Sequence, residues 1–185
     1  SEDGAKPSVY IAYPKGEIEV AEDGVKVLGY VSVANRSRSL EIFLNRLPLN
    51  VGSLWADAPI ETRGLRGYPL NLAIPLQPGR NRIAINVLDE NGFLQQKVIT
   101  VKRIEIKETE GAKPTAAEDL PKRLGDVQVA RREADVTADN FIAVLAGWVR
   151  DTAKSDYNKG NSMFDQGRFT RAAYYYRKSI ETEPM

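Results

Sequence analysis

The chain has neither cysteine nor histidine. Without them there is no disulfide, no thiol nucleophile, no imidazole base, no serine triad that uses histidine, and no zinc site of the usual ligand sets. No run approaches the 18 or so consecutive apolar residues that a membrane-spanning helix needs. Excess charge is missing too: 26 basic side chains stand against 25 acidic ones, and each half of the chain is balanced by itself. Nothing invites a polyanion, so the reading carries no nucleic-acid partner, no cofactor and no metal.

What is present is ordinary globular composition, 42% hydrophobic and 28% charged over 185 residues, enough for one large domain or two small ones. Ser1-Glu2-Asp3-Gly4 is polar and small. It fits the mature start left by a removed signal or lipid-anchor segment, and equally a boundary imposed on the chain.

From Val9 to about Val101 the apolar residues recur with period two in short pieces, the mark of half-buried strands. Val9 and Ile11 stop at Pro14-Lys15-Gly16, and Ile18 and Val20 stop at Glu22-Asp23-Gly24. Val25, Val27, Gly29, Val31 and Val33 then form one face of the longest strand, opposite Lys26, Leu28, Tyr30 and Ser32. Leu40, Ile42 and Leu44 follow, with Asn45-Arg46 as a hairpin turn and Leu47 to Val51 as the return. Asn50 to Arg66 reads as an irregular connection. Leu70, Leu72, Ile74 and Leu76 mark a strand that Pro69 and Pro75 confine to an edge or to bulged ends. Gln77-Pro78-Gly79 turns the chain into Ile83, Ile85 and Val87, and Asp89 to Gly92 turns it back into Phe93 to Val101.

About seven short strands at this spacing predict an immunoglobulin-like β-sandwich over residues 1–104. The order Pro-Gly turn, Asn81, alternating apolar strand, Asp89-x-x-Gly92 resembles the last hairpin of bacterial immunoglobulin-like domains. That resemblance implies a fold and an extracytoplasmic setting, periplasmic or at the cell surface, and no activity.

Residues 105–136 are charged and punctuated by Gly111, Pro114, Pro121 and Gly125, and read as a linker, with Glu118 to Ala134 partly helical. Residues 137–185 read as a helical tail. Thr137-Ala-Asp-Asn offers an N-cap, and Phe141, Ile142, Val144, Leu145, Trp148 and Val149 then recur at helical spacing. This helix and the pair that follows make a three-helix tail, and because nothing between Arg150 and Ser155 breaks a helix, its alternative course is to run straight into the helix that follows.

Within Ala153 to Pro184, Gly160 and Ala172 are small enough for two helices to approach closely. Met163, Phe164, Phe169, Tyr176 and Ile180 supply bulk, and Gln166-Gly167 is a stop followed by a new start. Gly160, Ala172, Tyr176 and Pro184 fall on the signature positions of a tetratricopeptide repeat, which this stretch resembles. Where that repeat carries a bulky aromatic and a leucine, this chain has Asp156 and Lys159, so looser or solvated packing is expected there. The resemblance implies protein or peptide partners bound on the inner face of the first helix, at Lys154, Tyr157, Asn158, Asn161, Phe164 and Asp165. Amide side chains there can clamp an extended backbone, since each offers a donor and an acceptor. A lone repeat also makes homo-oligomers a reasonable expectation.

Other constellations have plainer readings. Glu17, Glu19, Glu22 and Asp23 contain the two acids that glycoside hydrolysis needs, and also make an ordinary solvated turn. Asp89 and Asn91 offer oxygen ligands for calcium, and equally a hairpin turn. Arg168, Arg171, Tyr174, Tyr175, Arg177 and Lys178 suggest a basic aromatic patch, or the outer face of a helix. Trp55 and Tyr68 suggest a sugar-stacking platform, or a cap on the core. The chain thus reads as a non-catalytic interaction or assembly module, with the alternative of an accessory glycan-binding or spacer region of a secreted enzyme.

Overall fold

The computed structural model describes residues 8–33, 37–50, 60–62, 65–89, 92, 94–108, 125–129 and 141–182. Two compact units emerge, Ser1–Ile104 with Asp135–Leu145, and Glu105–Ala134 with Ala146–Met185.

The first unit is a β-sandwich of nine described strands: β1 Ser8–Tyr13, β2 Ile18–Val20, β3 Gly24–Val33, β4 Ser37–Leu44, β5 Leu47–Leu49, β6 Ile60–Thr62, β7 Leu65–Pro75, β8 Gly79–Asp89 and β9 Leu94–Arg103. One sheet has the order β1-β3-β7-β6 and the other β2-β9-β8-β4-β5. All pairings are antiparallel except β2 with β9, where Ile18 faces Val101. Four strands against five, with consecutive strands traded between sheets, is the immunoglobulin-like arrangement. β6 lies inside the stretch read as irregular, and with it the described strands number nine against about seven expected.

The core follows from the period-two pattern. Val25, Val27 and Val31 of β3, Leu70 and Ile74 of β7, Leu40, Ile42 and Leu44 of β4, Ile83, Ile85 and Val87 of β8 and Val101 of β9 are all buried. A fully buried side chain of this kind contributes about 1.5–3 kcal/mol. Leu28, assigned by alternation to the outer face, is fully buried as well, opposite Tyr13 where the β1 register shifts. β7 lies between β3 and β6 and not at the edge of its sheet, so the confinement expected from its prolines is met only locally. Among the described strands, β6 pairs only with Leu65, Arg66 and Gly67, so Pro69 and Pro75 face β3 on one side and no ladder on the other.

Asn81 explains why an asparagine follows the Pro-Gly turn. It is wholly buried. Its Oδ1 accepts from the Gln77 N–H at 2.8 Å, and its Nδ2 donates to the carbonyls of Gln77 at 2.7 Å and Gly79 at 3.0 Å. Asn45, at φ 50° in the hairpin between β4 and β5, donates to the same Oδ1 at 3.1 Å. One amide therefore ties two turns together.

The second unit is built on a helical pair. Helix α1, Phe141–Asp165, is continuous, and α2 is Phe169–Thr182. The third helix anticipated from the sequence is thus the N-terminal part of α1. No glycine or proline falls between Trp148 and Lys159, and the chain has no reason to stop. α1 ends in a Schellman turn. Gly167, at φ 74°, takes the left-handed position, its N–H donating to Phe164 O at 3.0 Å while the Arg168 N–H donates to Met163 O at 2.8 Å.

Candidate functional site

The site grows from the contact between the two helices. Tyr176 sits at its centre, 2% exposed. A Cβ added at Gly160 would lie 2.6 Å from the Tyr176 ring, so the hydrogen of glycine is what lets this ring lie across α1. Ser179 donates to the Ala153 carbonyl at 2.8 Å one turn further on, and Phe164 meets Phe169 edge to face at 5.2 Å beside the turn. These contacts run in opposite order along the two helices, which makes the pair antiparallel.

Asp156 is not solvated. It is 3% exposed and lies 3.8 Å from Lys178, whose side chain is itself largely covered. A buried ion pair replaces the aromatic bulk expected on that turn. Lys159 takes the other route, its ammonium 5.9 Å from the centre of the Tyr175 ring. The basic aromatic patch is divided accordingly: Tyr174 is buried and Lys178 is engaged, while Arg168 and Arg177 are exposed.

Of the six residues singled out on α1, Asn158 and Asn161 converge on one object, the segment Gly125 to Val129 of the same chain. Asn158 accepts from the Val127 N–H through Oδ1 and donates through Nδ2 to the Val127 carbonyl, both at 2.7 Å. The N–H and C=O of one residue point the same way only in extended backbone, so this amide stands where a neighbouring strand would. One turn along, Asn161 Nδ2 donates to Asp126 Oδ1 at 2.9 Å. Asn161 is fully buried, and its Oδ1 accepts from the Tyr176 hydroxyl at 2.6 Å.

Tyr157 flanks the pair with its ring 5.4 Å from that of Tyr176. Phe164, 40% exposed, belongs to the turn. Lys154 is half-buried, one turn before Asn158, and Asp165 is exposed at the end of α1. The partial helix expected around Gly125 is replaced, over residues 125–129, by this docked extended piece.

A second piece of the stretch read as a linker is also tied down. α2 has no acidic residue in its first turn, and Arg168, which precedes it, is not a capping side chain. Glu108 supplies the missing acceptor. Its carboxylate takes the N–H of Arg171 at 2.8 Å and of Thr170 at 3.3 Å, while the Arg171 guanidinium reaches the Ile106 carbonyl at 3.4 Å. Negative charge at a helix N-terminus is favourable.

Neither Glu108 nor Asp126 was singled out from the sequence, because each acts across more than thirty positions. The one local signal was the alternation Val127-Gln128-Val129.

Elsewhere, an open cleft of about 520 Å³ lies between Tyr10 and Pro14 on one side and Lys97 and Val98 on the other. Glu17, at its rim, is paired with Arg80 at 3.0 Å on an exposed surface. No group of three acidic side chains placed to hold a metal occurs among the described residues. Partial burial raises the pKa of the Tyr30 phenol above its ordinary value. Trp55 and Asn91 lie outside the described residues, as does the side chain of Tyr68. No described helix is long and apolar enough to cross a membrane.

No protein-family model matches the chain, and no curated protein matches it. Among solved structures, the fibronectin(III)-like modules of Clostridium thermocellum CbhA are similar over 54% of this chain and 100% of that one, at 12% identity and a TM-score of 0.31. The sandwich rests on the strand pairing described above and not on so slight a likeness.

Proposed function

We propose that the chain is a non-catalytic protein-interaction module in which the helical pair, a single unit of tetratricopeptide type, holds extended peptide and the sandwich serves as its accessory domain. The observation that carries this reading is the amide of Asn158 satisfying both backbone groups of one extended residue. Such a contact recognises backbone, so it accepts many sequences, and the neighbouring Asn161 adds selectivity through a side chain. Lys154, Tyr157, Phe164 and Asp165 extend the same surface along α1. The absence of histidine and cysteine from the sequence supports a role without chemistry. An extracytoplasmic setting for the whole accords with the sandwich's resemblance to bacterial surface domains.

The test is a titration of the full chain with a synthetic peptide of residues 123–131, followed through the side-chain amide resonances of Asn158 and Asn161. Saturable shifts that vanish in Asn158→Ala are expected. Absence of saturation at millimolar peptide, in the native chain and in a Val127→Pro chain alike, would refute the reading.

A further inference from the structure

The clamp on α1 is filled by the chain's own residues. Val127 lies 31 positions before Asn158, and Asp126 lies 35 before Asn161. We propose that residues 125–129 are a built-in competitor, and that the peptides admitted in their place carry a carboxylate immediately before the clamped residue. The inference rests on the peptide-binding reading above and adds to it what occupies the site and what can displace the occupant.

Two features of the geometry support displacement over permanent docking. First, the segment meets α1 through hydrogen bonds from Asn158 and Asn161. All five of its residues are exposed, with Val127 39% and Val129 37% accessible, so no side chain of the segment is enclosed in a core. Hydrogen bonds exchanged with solvent contribute little net affinity. Segments integral to a fold carry fully enclosed apolar side chains, and none of these five residues does.

Second, the receiving side chains are already in place. Asn161 is buried, and its amide spans two partners, Oδ1 accepting from the Tyr176 hydroxyl and Nδ2 donating to the Asp126 carboxylate, which can only accept. A donor so placed selects an acceptor, and the occupant presents the Asp126 carboxylate to it. The recognised element is therefore an acidic residue followed by a residue with a free backbone N–H, in extended conformation. The side chain of that second residue is not read closely, since Val127 remains partly open to solvent.

A tethered occupant competes at an effective concentration of order millimolar, enough to weaken a modest ligand without abolishing its binding. Release of the segment removes that competition.

The experiment compares the full native chain with a Val127→Pro chain, each titrated with the fluorescently labelled 123–131 peptide and with the same peptide carrying Asp126→Ala. Proline keeps the backbone extended and deletes the N–H that Asn158 accepts, so it loosens the occupant without touching the receiving residues. Circular dichroism establishes that the variant is folded, and Asp126→Ala in the chain serves as a second loosening variant.

Roughly tenfold tighter binding of the native peptide by the loosened chains is expected, with the Asp126→Ala peptide several-fold weaker throughout. Equal affinity of loosened and native chains would overturn the built-in competitor while leaving peptide binding intact. Equal affinity for the two peptides would overturn the carboxylate requirement. Failure of every chain to bind would instead remove the peptide-binding reading beneath both.

Discussion

The hydroxyl of Tyr176 donates to Oδ1 of Asn161 at 2.6 Å, and the other end of that same amide donates to Asp126. The packed centre of the helical pair and the surface that receives the extended segment are therefore one hydrogen-bonded chain. Tyr176→Phe keeps the ring and removes only the donor, leaving a buried carbonyl oxygen of Asn161 without it. A loss of about 1–2 kcal/mol in the stability of the helical unit is expected from chemical denaturation. Binding of peptides with the acidic residue should fall as well, because Asn161 then loses the hydroxyl that its Oδ1 accepts from.

Gly160 sets two effects against each other. Alanine is the better helix former by about 1 kcal/mol, but its Cβ would come within 2.6 Å of two carbons of the Tyr176 ring. The ring is held at its hydroxyl and cannot swing aside, and overpacking of this kind costs about 1–3 kcal/mol. Gly160→Ala should therefore destabilise the helical unit, which thermal unfolding followed at 222 nm would register. A stabilised variant would show that the helices separate easily.

Glu108 caps α2 from 62 and 63 positions away. Removing an N-cap acceptor costs about 0.5–2 kcal/mol. Glu108→Ala should lower helix content and raise the exchange rates of the Thr170 and Arg171 amides, with Glu108→Gln intermediate because it keeps an acceptor and loses the charge. Unchanged exchange at both amides would mean that the cap is not populated in solution.

Asn81 should be the most sensitive polar position of the sandwich. Asn81→Ala leaves the N–H and C=O of Gln77 and the amide of Asn45 without their buried partner, at a cost of about 1–3 kcal/mol. Asn81→Asp keeps the acceptor but sets a buried carboxylate against the carbonyls of Gln77 and Gly79, so both variants should lower the urea midpoint.

How much of this was readable beforehand depends on how far each interaction reaches along the chain. Alternation placed Val25, Val27, Ile83 and Ile85 in the core, because a strand's own period decides its faces. Gly167 announced the end of α1, and Gly160 with Ala172 announced a close helix contact, since both signals are local or paired by a fixed offset. That Asn158 carries an amide on α1 is plain from the sequence; that it bonds Val127 of the same chain is not. Nothing in Gly125-Asp-Val-Gln-Val marks it as belonging to Asn158, and nothing near Arg168 shows that its cap is Glu108. Asp156 misled for a related reason. Its charge suggested solvent, and only the fold reveals Lys178 beside it.

The central claim is that the amide of Asn158 holds the backbone of Val127, and hydrogen exchange at the Val127 N–H tests it most directly. In the native chain that amide should exchange at least about tenfold more slowly than in an unstructured peptide, and in Asn158→Ala it should exchange at the unstructured rate, with the Ser179 and Ala172 amides unaffected. Exchange of the Val127 amide at the unstructured rate in the native chain would contradict the account.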